Sequence, residues 1–199
     1  MVPEIVVLCA WPVWLVAWMV ARSWSKVTLA RLSRRSERLY SSIANFGFVL
    51  LFLSIFHLKW LPRLWTMPTT GQWTLAVLGL AGFGFSWWAR IHLGANWSWK
   101  ITLKENHTIV ETGPYRLVRH PIYTGLIVAA VATAALTAKP TSIAAVVLIV
   151  AGFGIKAGLE ERFLRAELGE NAYREYRRRT GMLVPRPKLR QPAAGMASD

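Results

Sequence analysis

The segment Gly113-Pro114-Tyr115-Arg116-Leu117-Val118-Arg119-His120-Pro121-Ile122-Tyr123-Thr124-Gly125 sets two arginines, two tyrosines and a histidine against the start of a long apolar run. A second apolar run ends in Glu160-Glu161, 35 residues after Gly125. Ionisable groups at the membrane face of an apolar bundle are costly, so they mark a candidate site. Pro121 suits the first turn of a helix, where its missing N–H costs nothing. The N-terminal pole of that helix presents free backbone N–H groups, which attract anions. Anchoring of Arg119 and His120 in lipid headgroups is the competing reading. Glu160 and Glu161 need a cationic partner or a cavity, and a bound cationic ligand is one such partner. Lys156 precedes Glu160 by one turn on the same helical face, where it can pair with it or face the same cavity. Glu161 stands in a similar relation to Arg165 and reads as structural or solvated.

These side chains must be held by helices that cross lipid. The chain has 199 residues, 54% of them hydrophobic, with 11 Trp and a mean hydropathy of +0.33. The apolar residues cluster in blocks near the ~20 residues a helix needs to cross about 30 Å of hydrocarbon. Five spans are expected, over 5–21, 43–61, 73–91, 122–138 and 141–158, with Lys139-Pro140 at the tip of a tight hairpin between the last two. A soluble helical bundle is disfavoured because its helices would each carry a polar face. The first block lacks a basic leader and a small-residue cleavage pattern, so it reads as a span and not as a signal peptide. The single cysteine, Cys9, lies in that block, excludes an intramolecular disulfide and reads as an apolar packing residue.

The net charge of +14 raises the question of nucleic acid, and its distribution answers it. Six Arg or Lys lie between Arg22 and Arg38, five around the loop after the third span, and ten from Lys156 to Arg190. Only Lys59, Arg63 and Lys139 remain for the opposite side. That is a positive-inside pattern, with the N-terminus outside and the C-terminus cytoplasmic. The basic excess then sets orientation and attracts anionic lipid, and no nucleic-acid partner is expected.

Residues 92–121 form a segment too long and too apolar for a linker, with Trp97, Trp99, Ile101, Leu103, Ile109 and Val110, and they read as an ordered cytosolic cap. Residues 159–190 complete the cytosolic part, with an amphipathic helix over 159–179 and a tail after Pro185. Trp87, Trp88, Trp97 and Trp99 fit an interfacial belt. Gly79, Ala81, Gly82, Gly84 and Ser86, and the pair Gly154 and Gly158, have spacings that let helices pack closely in lipid. His57, His92, His107 and His120 show no metal-ligand spacing, so no metal is assigned. The fold class is therefore an all-α integral membrane domain over residues 1–199: five spans, a cytosolic cap loop and a C-terminal amphipathic helix.

Asn96-Trp97-Ser98, His107-Thr108-Ile109-Val110, Gly113-Pro114-Tyr115, Arg119-His120-Pro121-Ile122-Tyr123-Thr124-Gly125 and Glu160-Glu161 together resemble the isoprenylcysteine carboxyl methyltransferase family. Leu168 to Tyr176 is similar to that family's terminal helix, and the resemblance covers about half the chain, 91–186. A wider superfamily containing phospholipid N-methyltransferases shares the Arg-His-Pro and Glu-Glu elements. The resemblance implies S-adenosylmethionine as cofactor, with S-adenosylhomocysteine as product. It implies contacts from His107, Thr108, Ile109, Val110, Tyr115, His120, Pro121, Ile122, Tyr123 and Glu160. The chemistry agrees in part: a carboxylate suits a helix N-terminus, an ammonium and hydroxyls suit Glu160, and a sulfonium suits aromatic faces. Two positions depart from the family. Lys156 replaces an arginine proposed in close relatives to hold the substrate carboxylate, keeping the charge without the bidentate fork. Lys100 replaces a neutral cofactor-contacting residue, and that role is not carried over.

The expected activity is O-methylation of the carboxylate of a lipophilic, isoprenylcysteine-like acceptor, positioned by Lys156. A C-terminal carboxylate is ionised at neutral pH, so no general base is needed. Methylation of a phospholipid amine is one alternative; it needs a proton removed, and Lys156 would repel the ammonium. A non-catalytic membrane scaffold is the other. The acceptor's identity and the oligomeric state stay open at this level.

Overall fold

The computed structural model describes residues 2–24, 28–31, 33–56, 60–98, 100–104 and 109–186. Four helices are long and apolar enough to cross a membrane. They are α1 (Val2–Ala21), α2 (Arg34–Phe56), α3 (Thr69–Leu93) and, after α4 (Pro121–Thr137), the long α5 (Pro140–Leu168). A short helix α6 (Glu170–Arg179) follows a break at Gly169. The spans expected at 43–61 and 73–91 sit off the observed boundaries, because α2 begins nine residues earlier with a charged turn and α3 four residues earlier at Thr69. The charged helix expected from 159 is in fact the uninterrupted continuation of α5, since nothing between Gly158 and Leu168 breaks the backbone ladder.

Helix α4 has 17 residues, a rise of about 25 Å, and its small residues are mostly buried by its neighbours. Both ends of the bundle show how far it reaches. At one end Arg63 lies 2.8 Å from Glu4, the Leu64 N–H donates to the Ala138 carbonyl at 2.7 Å, and Lys139 Nζ donates to the Ser54 carbonyl at 2.6 Å. The start of α1, the end of α2 and the α4–α5 turn therefore share that end. Ala138 adopts the left-handed conformation at this turn, and Pro140 opens α5 in its first turn. At the other end the buried Arg90 on α3 donates to the Ala21 carbonyl at 2.7 Å and to the Gly94 carbonyl at 2.6 Å, and its guanidinium lies 4.6 Å from the Trp97 ring centre.

Small residues set two close helix pairs. A Cβ on Gly82 would fall 2.6 Å from the Gly125 carbonyl oxygen, so α3 and α4 touch backbone to backbone. A Cβ on Gly152 would meet Ala44, and one on Gly47 would meet Ile149, which fixes α2 against α5. Gly84, Gly154 and Gly158, expected to pack in the same way, face open space. Their spacing matched, but their faces point away from a neighbouring helix. Helix α1 is apolar all round and turns Val7, Trp11, Trp14 and Trp18 inward. Its Trp11 and Trp14 indoles donate to Thr133 and Ser86 at 3.1 and 2.9 Å.

One short element stands beside the helices. Thr28–Arg31 (β1) pairs antiparallel with Thr102–Lys104 (β2), Arg31 opposite Thr102, so part of the cap is a two-stranded ribbon. Strands of four and three residues are too short to show a period in sequence, and their partners lie more than 70 positions apart, beyond any hairpin signal.

Candidate functional site

Residues 113–124 reach their places through the chain's C-terminal segment. Gly113 opens a short 3-10 turn, Gly113–Arg116, with φ of +55°, and a Cβ there would strike the His92 ring. Val118 bridges Gly181 in parallel, the Arg119 N–H donates to the Gly181 carbonyl at 2.8 Å, and the His120 N–H donates to the Met182 carbonyl at 3.1 Å. Thr124 donates to the Leu183 carbonyl at 2.8 Å, and Tyr176 donates to the Tyr115 carbonyl at 2.9 Å. The start of α4 is thus strapped to residues 176–183.

The strap is cross-braced by a buried ionic cluster. Arg119 Nε donates to Glu161 Oε1 at 2.7 Å, with both side chains almost fully buried, and its Nη1 donates to the Thr180 carbonyl. Arg177 Nε lies 3.4 Å from Glu161 Oε2, and His120 Nε2 lies 3.4 Å from Oε1. Glu161 therefore points into the protein, between α4, α5 and the strap.

Glu160 points the other way. Its Oε2 accepts from the Tyr123 hydroxyl at 2.7 Å and lies 3.8 Å from His120 Nδ1, and its side chain is 29% exposed. The rings of His120, Tyr123 and Phe153 form a parallel stack, with successive centroids 5.3 and 4.9 Å apart. Lys156 Nζ lies 5.0 Å from the Tyr123 ring centre and 5.5 Å from that of Tyr40, a separation at which ring faces attract cations.

These groups line a single cavity of about 870 Å³ that runs from the cap into the bundle. That is within the roughly 300–1,000 Å³ usual for small-molecule sites. Among the residues expected to contact a cofactor, Ile109, Val110, Tyr115, His120, Ile122, Tyr123 and Glu160 line it, as does Lys156. Pro121 is buried at the first turn of α4 beside them. His107 and Thr108 lie outside the described residues. Burial pushes the phenols of Tyr115, Tyr173 and Tyr176 above the ordinary tyrosine range, so they stay protonated and act as hydrogen-bonding walls.

Several lining residues were not singled out from the sequence for any site role. Glu37, Tyr40, Ala44, Asn45, Phe48 and Phe52 of α2 form one wall. Glu37 meets Lys100 of the cap at 2.7 Å at the cavity rim. Asn96 and Thr102 also line the cavity, and their side-chain oxygens are buried without a partner among the described residues. An orphaned buried oxygen is costly and fits a polar ligand. Only Asn96 had a signal, as part of the run quoted above; Thr102 is delivered by the ribbon. Among the described residues no group of three or more His, Cys, Asp or Glu side chains is arranged to hold a metal ion.

Comparison with known proteins adds a second line of evidence. The model of the isoprenylcysteine carboxyl methyltransferase (ICMT) family matches residues 75–165. Methanethiol S-methyltransferase of Pseudomonas sp. (strain GM41(2012)) is 37% identical over 89 residues, 45% of this chain and 33% of the relative. Protein-S-isoprenylcysteine O-methyltransferase B of Arabidopsis thaliana is 34% identical over 87 residues, 43% of this chain and 44% of the relative. The cobalt-zinc-cadmium resistance protein CzcN of Cupriavidus metallidurans is 33% identical over 146 residues, 71% of this chain and 61% of the relative. The chain thus spans between a third and three fifths of the length of these curated relatives. The matched block contains most of α3, the cap, α4 and most of α5; α1 and α2 fall before it.

Proposed function

We propose that the chain, whose residues 75–165 match the model of the isoprenylcysteine carboxyl methyltransferase family, is an integral membrane methyltransferase that uses S-adenosylmethionine to O-methylate the carboxylate of a lipophilic, isoprenylcysteine-like acceptor. One observation carries this reading: a single cavity joins the polar wall of His120, Tyr123 and Glu160 to an aromatic wall inside the bundle, with Lys156 between them.

The donor set fits the cofactor. Glu160 would hold its ammonium or ribose hydroxyls, while Ile109, Val110, Tyr115, His120, Pro121, Ile122 and Tyr123 would wall it, with His107 and Thr108 completing the contact set that the family implies. The side-chain oxygens of Asn96 and Thr102, without a partner among the described residues, would be further polar contacts. S-adenosylmethionine, when bound, supplies an electrophilic methyl group. Lys156 would position the acceptor's carboxylate, already ionised at neutral pH, so the chain needs no general base. Trp18, Tyr40, Phe153 and the cap would exclude water from the reacting atoms. Positioning would supply much of the acceleration.

Labelled S-adenosylmethionine added to membranes with and without the chain tests the activity. The expected product is a lipophilic species whose label leaves on mild base treatment, as a methyl ester does. Label in a base-stable headgroup amine would overturn the reading in favour of a phospholipid N-methyltransferase. Absence of transfer and of cofactor binding would leave a scaffold. A base-stable thioether would favour a thiol acceptor, a second reading supported by the similarity to methanethiol S-methyltransferases, since Lys156 can stabilise a thiolate as well.

Five crossings are proposed, because α4 joins the two ends that the longer helices also join. The N-terminus would lie outside and the C-terminus in the cytoplasm, following the basic excess. Lys139 is buried, so the exposed Pro140 is the better probe of the turn. With Cys9 replaced, a cysteine at Pro140 should react with an impermeant maleimide from outside and one at Arg178 only after permeabilisation. The reverse pattern would invert the topology.

A further inference from the structure

The cavity has a floor. On α1 its innermost lining residues are Leu8 and Trp11, and on α2 they are Phe48 and Phe52. Beyond them a second, small cavity of about 70 Å³ is lined by Glu4, Val7, Leu8, Ile55, Arg63 and Thr133, among others. Leu8 lines both cavities, and the indole of Trp11, 5% exposed, lines the first and reaches Thr133 in the wall of the second. It crosses from α1 to meet Phe48 and Phe52 edge-on at 5.5 and 5.6 Å and Phe83 of α3 at 4.8 Å. Its orientation is set by a hydrogen bond from Nε1 to Thr133 Oγ1 at 3.1 Å, and Thr133 in turn donates to the Ala129 carbonyl at 2.7 Å. A tryptophan held by three ring contacts and one hydrogen bond is a fixed partition.

We propose that Trp11 is the gauge of acceptor chain length: the arm of the cavity from Tyr40 down to Phe52 takes the acceptor's hydrocarbon tail, and the Trp11 indole stops it. Along α2 Phe52 stands 12 positions after Tyr40, a depth of roughly 18 Å. Below the level of Lys156 its lining includes Trp11, Trp14, Phe48, Phe52 and Phe153, with the polar side chains of Ser41 and Asn45 nearer its top. Such a wall selects by shape and area, where one methylene more or less is worth roughly 10–200-fold in discrimination. Opening the floor would join the arm to the outer cavity and admit longer chains. The assignment rests on the proposed function for the identity of the acceptor's head, and on the cavity alone for the limit on its tail.

The test uses the full chain in detergent with S-dimethylallyl, S-geranyl, S-farnesyl and S-geranylgeranyl N-acetylcysteine. Two readouts are taken: methyl transfer from S-adenosylmethionine, and thermal stabilisation by each compound alone, which needs no turnover. In the wild type both should rise with chain length and then fall. Trp11→Ala should move the optimum to a longer chain and raise the ratio of the longest to the shortest acceptor about tenfold in kcat/KM. Trp11→Phe and Thr133→Val, which shrink or release the indole with less loss of packing, should move it part of the way, so a Trp11→Ala variant that fails to fold leaves the question decidable. Val13→Ala, on the 68% exposed lipid face of α1, should leave the optimum in place. An unchanged optimum in folded Trp11→Phe and Thr133→Val overturns the gauge. Stabilisation that follows chain length and shifts in the variants, with no methyl transferred to any compound, keeps the gauge and overturns the function.

Discussion

Glu160→Gln is expected to weaken S-adenosylmethionine binding by about 1.5–3 kcal/mol, roughly tenfold to a hundredfold, the usual loss for a hydrogen bond to a charged group. Its carboxylate faces the cavity and is held in place by the Tyr123 hydroxyl, a bond that glutamine's carbonyl oxygen can still accept. Folding should therefore change little. Glu161→Gln should do the opposite. That carboxylate is buried against Arg119, Arg177 and His120, and removing one member of a buried charge cluster costs about 3–5 kcal/mol. The loosened strap over residues 176–183 should lower the unfolding temperature, with cofactor affinity of the folded fraction within a few-fold of wild type. Calorimetric titration beside thermal unfolding in detergent separates the two. Equal losses of affinity at both positions would remove the distinction between a ligand-facing and a structural glutamate.

Adjacent residues on a helix point about 100° apart, so a Glu-Glu pair at the end of an apolar run must divide its attention. The sequence could therefore show that one glutamate faces a cavity and the other something else. The partners of Glu161 were out of reach, because Arg177 and Thr180 come from a segment whose path back to α4 depends on Gly169 and the parallel bridge at Gly181. The helices were legible for a plain reason: runs such as 73–91 are long and apolar enough to read as membrane-crossing helices. Their ends were not, since α2 starts in a charged turn well ahead of its apolar block. The small-residue patterns were half legible. Gly82 does make a backbone contact, but Gly154 and Gly158 do not, because spacing gives a face without saying what stands opposite it. The α2 wall of the cavity escaped altogether. Tyr40 lies ahead of the expected span, and Phe48 and Phe52 look like ordinary span residues until α5 sets Lys156 across from α2.

Lys156→Met should lower kcat/KM for the acceptor by about tenfold to a hundredfold, the loss of one charge-assisted contact, while S-adenosylmethionine affinity stays within a few-fold. Lys156 sits between the ring faces of Tyr40 and Tyr123, at the level where the polar and aromatic halves of the cavity meet. A cation there serves an acceptor whose tail occupies the aromatic arm and whose anionic head must approach the cofactor. A merely structural lysine predicts otherwise. Methionine fills the same slot and keeps favourable sulfur–aromatic contacts, so packing alone would be preserved and turnover with it. Lys156→Arg distinguishes further: arginine also binds ring faces and adds a second donor for a carboxylate, so it should retain most of the activity on a carboxylate acceptor. A Lys156→Met variant that folds, binds cofactor and methylates at the wild-type rate would take Lys156 out of the mechanism. The cavity would then hold its acceptor by the tail alone, and the preference for an anionic head over an amine would lose its physical basis.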